Sequence, residues 1–222
     1  MKKIVVIAST SGSVLSKVLR LEEVKTSIYM VVSDRNCGAI QVAKSNGLKT
    51  AIFNSKTGRD FSDKLIEFFR EDKIDAFLSF YTRLLSLDFL NTFPSKVYNF
   101  HPSILPAHPG NSGFCDTIKS ESKFIGSTLH LVDEGIDTGK PLIQSVFPYN
   151  PNISIRENRH IIFVQQCKIL IQFIIWLNQN RIQKNIVKDA SYLFEEFSPN
   201  LEHNLAKYFS IDFNSVEINR NY

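Results

Sequence analysis

The segment Ile4-Val5-Val6-Ile7-Ala8-Ser9-Thr10-Ser11-Gly12-Ser13 sets the architecture. A strand-length run of apolar, mostly β-branched residues ends in a cluster of turn and cap residues, and a helix-period stretch over 13–21 follows. The run stops too early to be the apolar core of a signal peptide. The same alternation recurs through the first hundred residues. Strand-like runs at 4–8, 28–33, 50–53, 76–80 and 97–101 are separated by helical spacing at 13–21, 38–46 and 60–72, where Phe61, Leu65, Phe68 and Phe69 fall on one side and charges on the other. Continuously apolar strands belong to sheets covered on both faces. The predicted class is α/β: an open, mostly parallel twisted sheet with helices on both faces. Segments 9–13 and 33–38 then lie at the carboxyl edge of that sheet, where open α/β folds bind ligands.

After Pro102 the pattern changes. A Pro/Gly-rich loop runs to Gly113, a short helix follows, and strand-like runs at 126–132 and 141–147 flank the loop 133–140, a hairpin-like addition to the sheet. A long helix is predicted over 155–178. Gln165, Gln166, Lys168 and Gln172 interrupt its apolar stretch and point to a core-packed helix rather than a membrane span. In the remainder, 181–222, Asn and Lys argue against strands. Tyr192, Leu193, Phe194, Phe197, Leu201, Tyr208 and Phe209 are nevertheless too many large apolar groups for a solvated tail. The expected organisation is a domain over 1–180 and a helical or irregular extension over 181–222 that packs on the domain or on a partner subunit, as in a homodimer. No internal repeat or linker is evident.

The chain has 222 residues, with 26 Lys and Arg against 22 Asp and Glu, a net charge of +4. These charges are interspersed, which excludes a basic arm for nucleic acid or a polybasic membrane segment and still suits small anionic ligands. Cys37, Cys115 and Cys167 are widely spaced with no CxxC pair, which fits a reducing compartment, the cytoplasm, better than disulfides or a metal site.

The chemistry-bearing residues sit in Asn99-Phe100-His101-Pro102-Ser103-Ile104-Leu105-Pro106 and in Asp133-Glu134-Gly135-Ile136-Asp137-Thr138-Gly139. Asn99 and His101 alternate with Tyr98 and Phe100, so strand periodicity points both polar side chains to one face at the sheet edge. The bland reading is a loop-capping Asn99, a hydrogen-bonded buried His101 and an Asx turn at Asp137. Prolines 102, 106 and 109 stiffen the loop, and the glycines of 133–139 let it approach a ligand closely.

The set resembles the folate-dependent formyltransferases, most closely the glycinamide ribonucleotide transformylase group, over residues 3–178. The match is carried by 97–106 with Pro109-Gly110 and by 126–139, with weaker agreement at 31–35, 43–47 and 82–86. This resemblance implies Asn99, His101 and Asp137 as catalytic residues and 10-formyltetrahydrofolate as cosubstrate, with a small-molecule amine as acceptor and no metal. The folate is expected against Thr82, Arg83, Leu84 and Leu85 and against Val132, Asp133, Glu134, Gly135 and Ile136. The amine acceptor is expected at Ser11, Gly12 and Ser13, with Arg59, Pro109 and Gly110. Arg83 has a purely structural alternative, and Arg59 a solvated one.

Departures concentrate on the acceptor side. The family's Gly-x-Gly-Ser-Asn phosphate loop is Thr10-Ser11-Gly12-Ser13-Val14 here, and the acidic residue of the late helix is replaced near Gln165-Gln166. The altered phosphate loop and the long tail favour a nucleotide-linked amino sugar, as used in surface polysaccharides, over phosphoribosylglycinamide of purine biosynthesis. A non-catalytic folate or nucleotide binding protein is the reading from another class. A dinucleotide oxidoreductase fits worse, because the first turn lacks GxGxxG.

Overall fold

The computed structural model describes residues 1–191 and 196–202. Its centre is an eight-stranded sheet in the order β10-β7-β6-β5-β4-β1-β2-β3. Strands β1 (Ile4–Ala8), β2 (Ile28–Ser33), β3 (Thr50–Ile52), β4 (Ala76–Phe80) and β5 (Val97–His101) are parallel. β6 (Phe124–Leu131), β7 (Pro141–Pro148) and the short β10 (Phe197–Ser198) continue it antiparallel. The order 3-2-1-4-5 reverses between β1 and β4, so the loops that leave those two strands part there and open a crevice.

β1 is fully buried because apolar layers cover both sheet faces. On one face α1 (Ser13–Val18), α3 (Gly38–Ser45) and α7 (Ile155–Asn178) pack over Val6, Val31, Leu78 and Tyr98, with Trp176 wholly buried. On the other, α4 (Gly58–Phe69) and α5 (Leu87–Thr92) lay Phe61, Leu65, Phe69 and Phe89 on Val5, Ile7 and Phe77. Aromatic edges interlock within this layer, Phe77 lying 5.1 Å from Phe89 and 5.6 Å from Phe69 between ring centroids. α4 begins where Thr57 accepts the Asp60 N–H, and α7 where Ser154 and Glu157 form a capping box.

Several boundaries differ from the sequence reading. The expected helix over 13–21 stops at Val18, and a separate α2 (Glu22–Ser27) runs into β2; α5 had no sequence counterpart. Both are six residues long, too short for a 3.6-residue period to show. α7 is long and apolar enough to cross a bilayer by length and composition. The interrupting polar residues do not decide against that, since Gln165 and Gln172 are themselves buried; what does is that 67% of its most apolar window is buried inside the protein.

Segment 181–202, where strands were not expected, holds the two-residue strands β8 (Ile182–Gln183) and β9 (Ile186–Val187) as well as β10. Backbone pairing with β7 makes β10 possible despite its composition. Arg181 ties this part down, donating to the Lys188 carbonyl, pairing with Glu202 and lying 5.8 Å from the Trp176 ring. Phe197 is buried and Leu201 packs on the same core. Tyr192, Leu193, Phe194, Tyr208 and Phe209 lie outside the described residues.

Candidate active site

β5 and β6 pair with Asn99 opposite His130 and His101 opposite Thr128. Directly opposed residues share a face, so two histidines and an amide are gathered beside the loop that carries Asp137. Tyr98 and Phe100 point the other way into the layer under α7, as the alternation predicts.

His101 is 3% exposed. Its Nδ1 lies 3.2 Å from Asp137 Oδ2 and its Nε2 lies 2.8 Å from the His108 carbonyl oxygen. A carbonyl oxygen can only accept, so Nε2 carries a proton; an ionised carboxylate can only accept, so Nδ1 carries one too. Both ring nitrogens therefore donate, and the imidazole is held as a cation. Burial pushes its pKa down, but Asp137 and the His108 carbonyl outweigh burial and leave it raised. Asp137 is held far below the usual carboxylate range by His101 first, then His130, with the Gly110 N–H at 2.8 Å adding to them against burial.

Asp137 sits at φ +53°, an unusual conformation for a residue other than glycine, in a loop fixed by its own polar groups. Asp133 Oδ1 accepts from the Gly135 N–H at 3.1 Å and from the Thr138 hydroxyl at 2.7 Å. The Asx turn expected as the bland alternative is thus real, but it belongs to Asp133 and sets the stage for Asp137. The loop 102–113 is equally tied: Ser103 Oγ donates to the Ala107 carbonyl, and Thr128 Oγ1 accepts from the Leu105 N–H and donates to the Ser103 carbonyl. Gly113 closes it down. A Cβ there would lie 2.4 Å from His101 Nε2.

The other sequence candidates fall into three groups. Thr82, Leu84 and Ile136 are exposed in the loops after β4 and β6, Leu84 at 64% and Ile136 at 55%, which leaves their side chains in solvent. Gly12 stands at φ +76°, and a Cβ on it would lie 2.6 Å from Ala39 Cα, so it serves the packing of α1 against α3 as well as the loop 9–13. The hydroxyls of Ser9 and Thr82, 3.0 Å apart, join the loops after β1 and β4 at the reversal of strand order.

Two residues are committed to other partners, and a third is solvated. Arg83 Nη1 bonds Asp34 Oδ2 at 2.7 Å and the Ser55 carbonyl at 3.2 Å, so its side chain is structural rather than free for a cosubstrate. Gly110 gives its N–H to Asp137. Arg59 is 79% exposed in its side chain and comes only within 4.0 Å of Asp88, away from the His101 cluster's contacts.

Sequence reasoning missed three features. His130 is one; its alternation with Thr128 was visible, but its register opposite Asn99 was not. The His108 carbonyl is another, since a backbone acceptor has no sequence signal. The third is Asp34, 2% exposed, which receives Arg35 in a two-pronged contact together with Arg83 and the Tyr81 hydroxyl.

A doubly wound sheet with an imidazolium, a carboxylate and an amide at its crevice defines an α/β protein equipped to stabilise negative charge and move protons. The formyl transferase family profile matches residues 2–174, and the chain belongs to that family. Phosphoribosylglycinamide formyltransferase of Mycobacterium tuberculosis strain H37Rv is 31% identical over 153 residues, 66% of this chain and 71% of that protein. The chloroplastic enzyme of that name from Vigna unguiculata is 28% identical over 197 residues, 82% of this chain. The chain spans 57% and 62% of the length of the chloroplastic relatives from Arabidopsis thaliana and Vigna unguiculata. Among solved structures, glycinamide ribonucleotide transformylase 1 from Symbiobacterium toebii superposes with a TM-score of 0.75 at 26% identity, covering 84% of this chain and 93% of that one.

These names correct the expected acceptor. The relatives are phosphoribosylglycinamide formyltransferases, against the amino sugar that the loop 10–14 suggested. The reason is structural: Val14 is 7% exposed and packs in the core, so the departure there reports helix packing and not acceptor chemistry.

Proposed function

We propose that the chain is a phosphoribosylglycinamide formyltransferase, moving a formyl group from 10-formyltetrahydrofolate to the primary amine of phosphoribosylglycinamide. The observation that carries this reading is the His101 cation held between Asp137 and the His108 carbonyl beside the Asn99 amide. The transfer forms a bond from the amine nitrogen to the formyl carbon and breaks the bond from that carbon to the folate nitrogen, and a proton lost by the amine ends on the folate nitrogen. Between those events the formyl oxygen is an anion. Asn99 supplies an amide hydrogen to that oxygen, and His101 supplies positive charge close by; a preorganised donor of this kind typically contributes about 10²–10³ in rate. Both N–H groups of His101 are engaged, so its contribution is its charge. Asp137 keeps that charge in place and relays the proton of the attacking amine through water.

Leu84 and Ile136 fit the faces of a flat ring system, with backbone groups of 82–85 and 132–136 as its hydrogen-bonding partners. The backbone N–H groups at Ser11, Gly12 and Ser13 suit the acceptor's phosphate. Residues 1–180 form the catalytic domain in this reading, residues 181–222 an extension that also suits a homodimer contact, and the cytoplasm is the compartment.

Incubating the purified chain with 10-formyltetrahydrofolate and phosphoribosylglycinamide, and following tetrahydrofolate formation by absorbance, tests it. Turnover that is lost in His101→Asn while folate still binds supports the reading. No turnover by the unaltered chain sinks it.

A further inference from the structure

We infer that Asn185, at the tip of the β8–β9 hairpin, is a positioning residue for the formyl transfer: its amide clamps the root of the loop that carries Asp137. The inference rests on the proposed function for its chemistry, and its geometry stands alone. The hairpin pairs Ile182 with Val187 and Gln183 with Ile186, closed by the two-residue turn Lys184-Asn185. Both turn residues have positive φ, +49° and +56°, which a tight turn between right-twisted strands requires and Asn tolerates well. A two-stranded hairpin is marginal by itself. Here its root is strapped to the end of α7: the Arg181 N–H donates to the Trp176 carbonyl, the Lys188 N–H to the Arg181 carbonyl, and the Arg181 guanidinium to the Lys188 carbonyl at 2.7 Å. Val187 is 3% exposed, and Ile182 packs on the same core. The hairpin thereby holds its tip in one place against the sheet.

At that tip Asn185 Nδ2 donates to the Lys140 carbonyl at 2.7 Å and to the Pro141 carbonyl at 3.1 Å. Its Oδ1 is buried without a hydrogen-bond partner among the described residues, so the donors alone hold the side chain. Lys140 and Pro141 are where the Asp137 loop rejoins the sheet, and the ladder is thin there. Pro141 has no N–H to give. The pairing of β6 with β7 also steps from Leu129 opposite Ile143 to His130 opposite Pro141, which leaves Leu142 over. The Leu131 N–H reaches the Lys140 carbonyl at 3.0 Å, and Asn185 takes the second lone pair of that oxygen.

Asp137 follows that root because the loop moves as a unit. Asp133 Oδ1 binds the Gly135 N–H and the Thr138 hydroxyl, and Gly139 is pressed so closely on the Leu131 carbonyl that a Cβ would collide with it. Lys140 comes three residues after Asp137, whose Oδ2 faces His101 Nδ1 at 3.2 Å and the Gly110 N–H at 2.8 Å. Without the clamp the root is held from the β6 side alone. A shift of about 1 Å there parts the carboxylate from His101, and a misplacement of that size typically costs about 10²-fold in rate.

Two variants at 185, one at 184 and one titration test this. Asn185→Gly suits the turn and removes the amide; Asn185→Asp keeps the shape and sets a carboxylate against two carbonyls. Lys184→Gly alters the turn and spares the clamp. With phosphoribosylglycinamide and 10-formyltetrahydrofolate, both Asn185 variants are expected to lose about 10- to 100-fold in kcat with the acceptor KM within about threefold, and Lys184→Gly to keep kcat within about twofold. The groups facing His101 are Asp137 and the His108 carbonyl, and His130 Nε2 lies 3.5 Å from the other Asp137 oxygen. Asp137 raises the His101 pKa, so a loosened loop lowers it. NMR titration of the His101 ring is expected to move to lower pH in Asn185→Gly and to stay in Lys184→Gly. Loss of stability alone reduces the folded fraction and leaves that titration in place. An unshifted His101 titration in Asn185→Gly overturns the proposal, as does a wild-type kcat in both Asn185 variants or an equal loss in Lys184→Gly. Absence of turnover by the unaltered chain would strike the proposed function, and the His101 titration would still decide the clamp.

Discussion

Asp137→Asn removes one negative charge and little volume, which isolates the carboxylate's effect on His101. In the native protein the pair stabilises the fold within a defined pH window. His101, raised from a reference near 6.5, contributes fully below that reference, and its contribution is lost as pH rises through the raised value. Asp137, lowered from a reference near 3.9, contributes fully above that reference, and its contribution is lost as pH falls towards the lowered value. The overlap lies between about pH 4 and 6.5. Two charge-assisted contacts are at stake, the His101 N–H at 3.2 Å and the Gly110 N–H at 2.8 Å. Such bonds typically contribute about 1.5–3 kcal/mol each, and neutralisation of His101 in the variant offsets part of the loss. The expected destabilisation is thus about 3 kcal/mol near pH 5.5, shrinking above the raised His101 pKa and again in acid. With its counterion gone, burial dominates at His101, and its pKa falls below the reference. Urea unfolding across pH 4–9 reads the first effect, and NMR titration of the His101 ring reads the second. A destabilisation that does not change with pH, or an unmoved His101 titration, would refute the reasoning. At pH 7 the same change is expected to lower kcat by about 10²–10³ through loss of the cation.

Asn99→Ala should lower kcat by about 10²–10³ and leave folate affinity within a fewfold, measured by steady-state kinetics and equilibrium titration. Gly113→Ala puts a methyl group 2.4 Å from His101 Nε2 and 3.1 Å from the His108 carbonyl. The start of α6 (Gly113–Lys119) must then retreat, so a loss of about 1–3 kcal/mol in denaturant stability and a lower kcat are expected, and an unchanged kcat would show that the loop's closeness to His101 is immaterial. Asp34→Ala removes the buried partner of Arg35 and Arg83, whose guanidinium groups stay partly solvated, and is expected to destabilise by about 1–3 kcal/mol, more than Arg83→Ala alone, since Arg35 stays with Asp34 in the latter.

The alternation of apolar runs with turn clusters made the five parallel strands readable to within a residue, because buried strands admit few other compositions. The alternation at 98–101 likewise placed Asn99 and His101 on one face. Short helices escaped for want of a full period, and the acceptor was misjudged because Val14 looked like a missing ligand when it is a core residue.

The sequence by itself determined the five parallel strands and the longer helices through local periodicity, and it named Asn99, His101 and Asp137 as catalytic candidates through motif resemblance. Only the tertiary structure decided how they are charged. The His101 cation depends on a carbonyl seven residues away and a carboxylate thirty-six residues away, and the Asn99 amide comes within 3.4 Å of His130 only through the pairing of β5 with β6. Proton positions follow from which donor faces which acceptor across the chain, and that pairing exists only once β5, β6 and the Asp137 loop have come together.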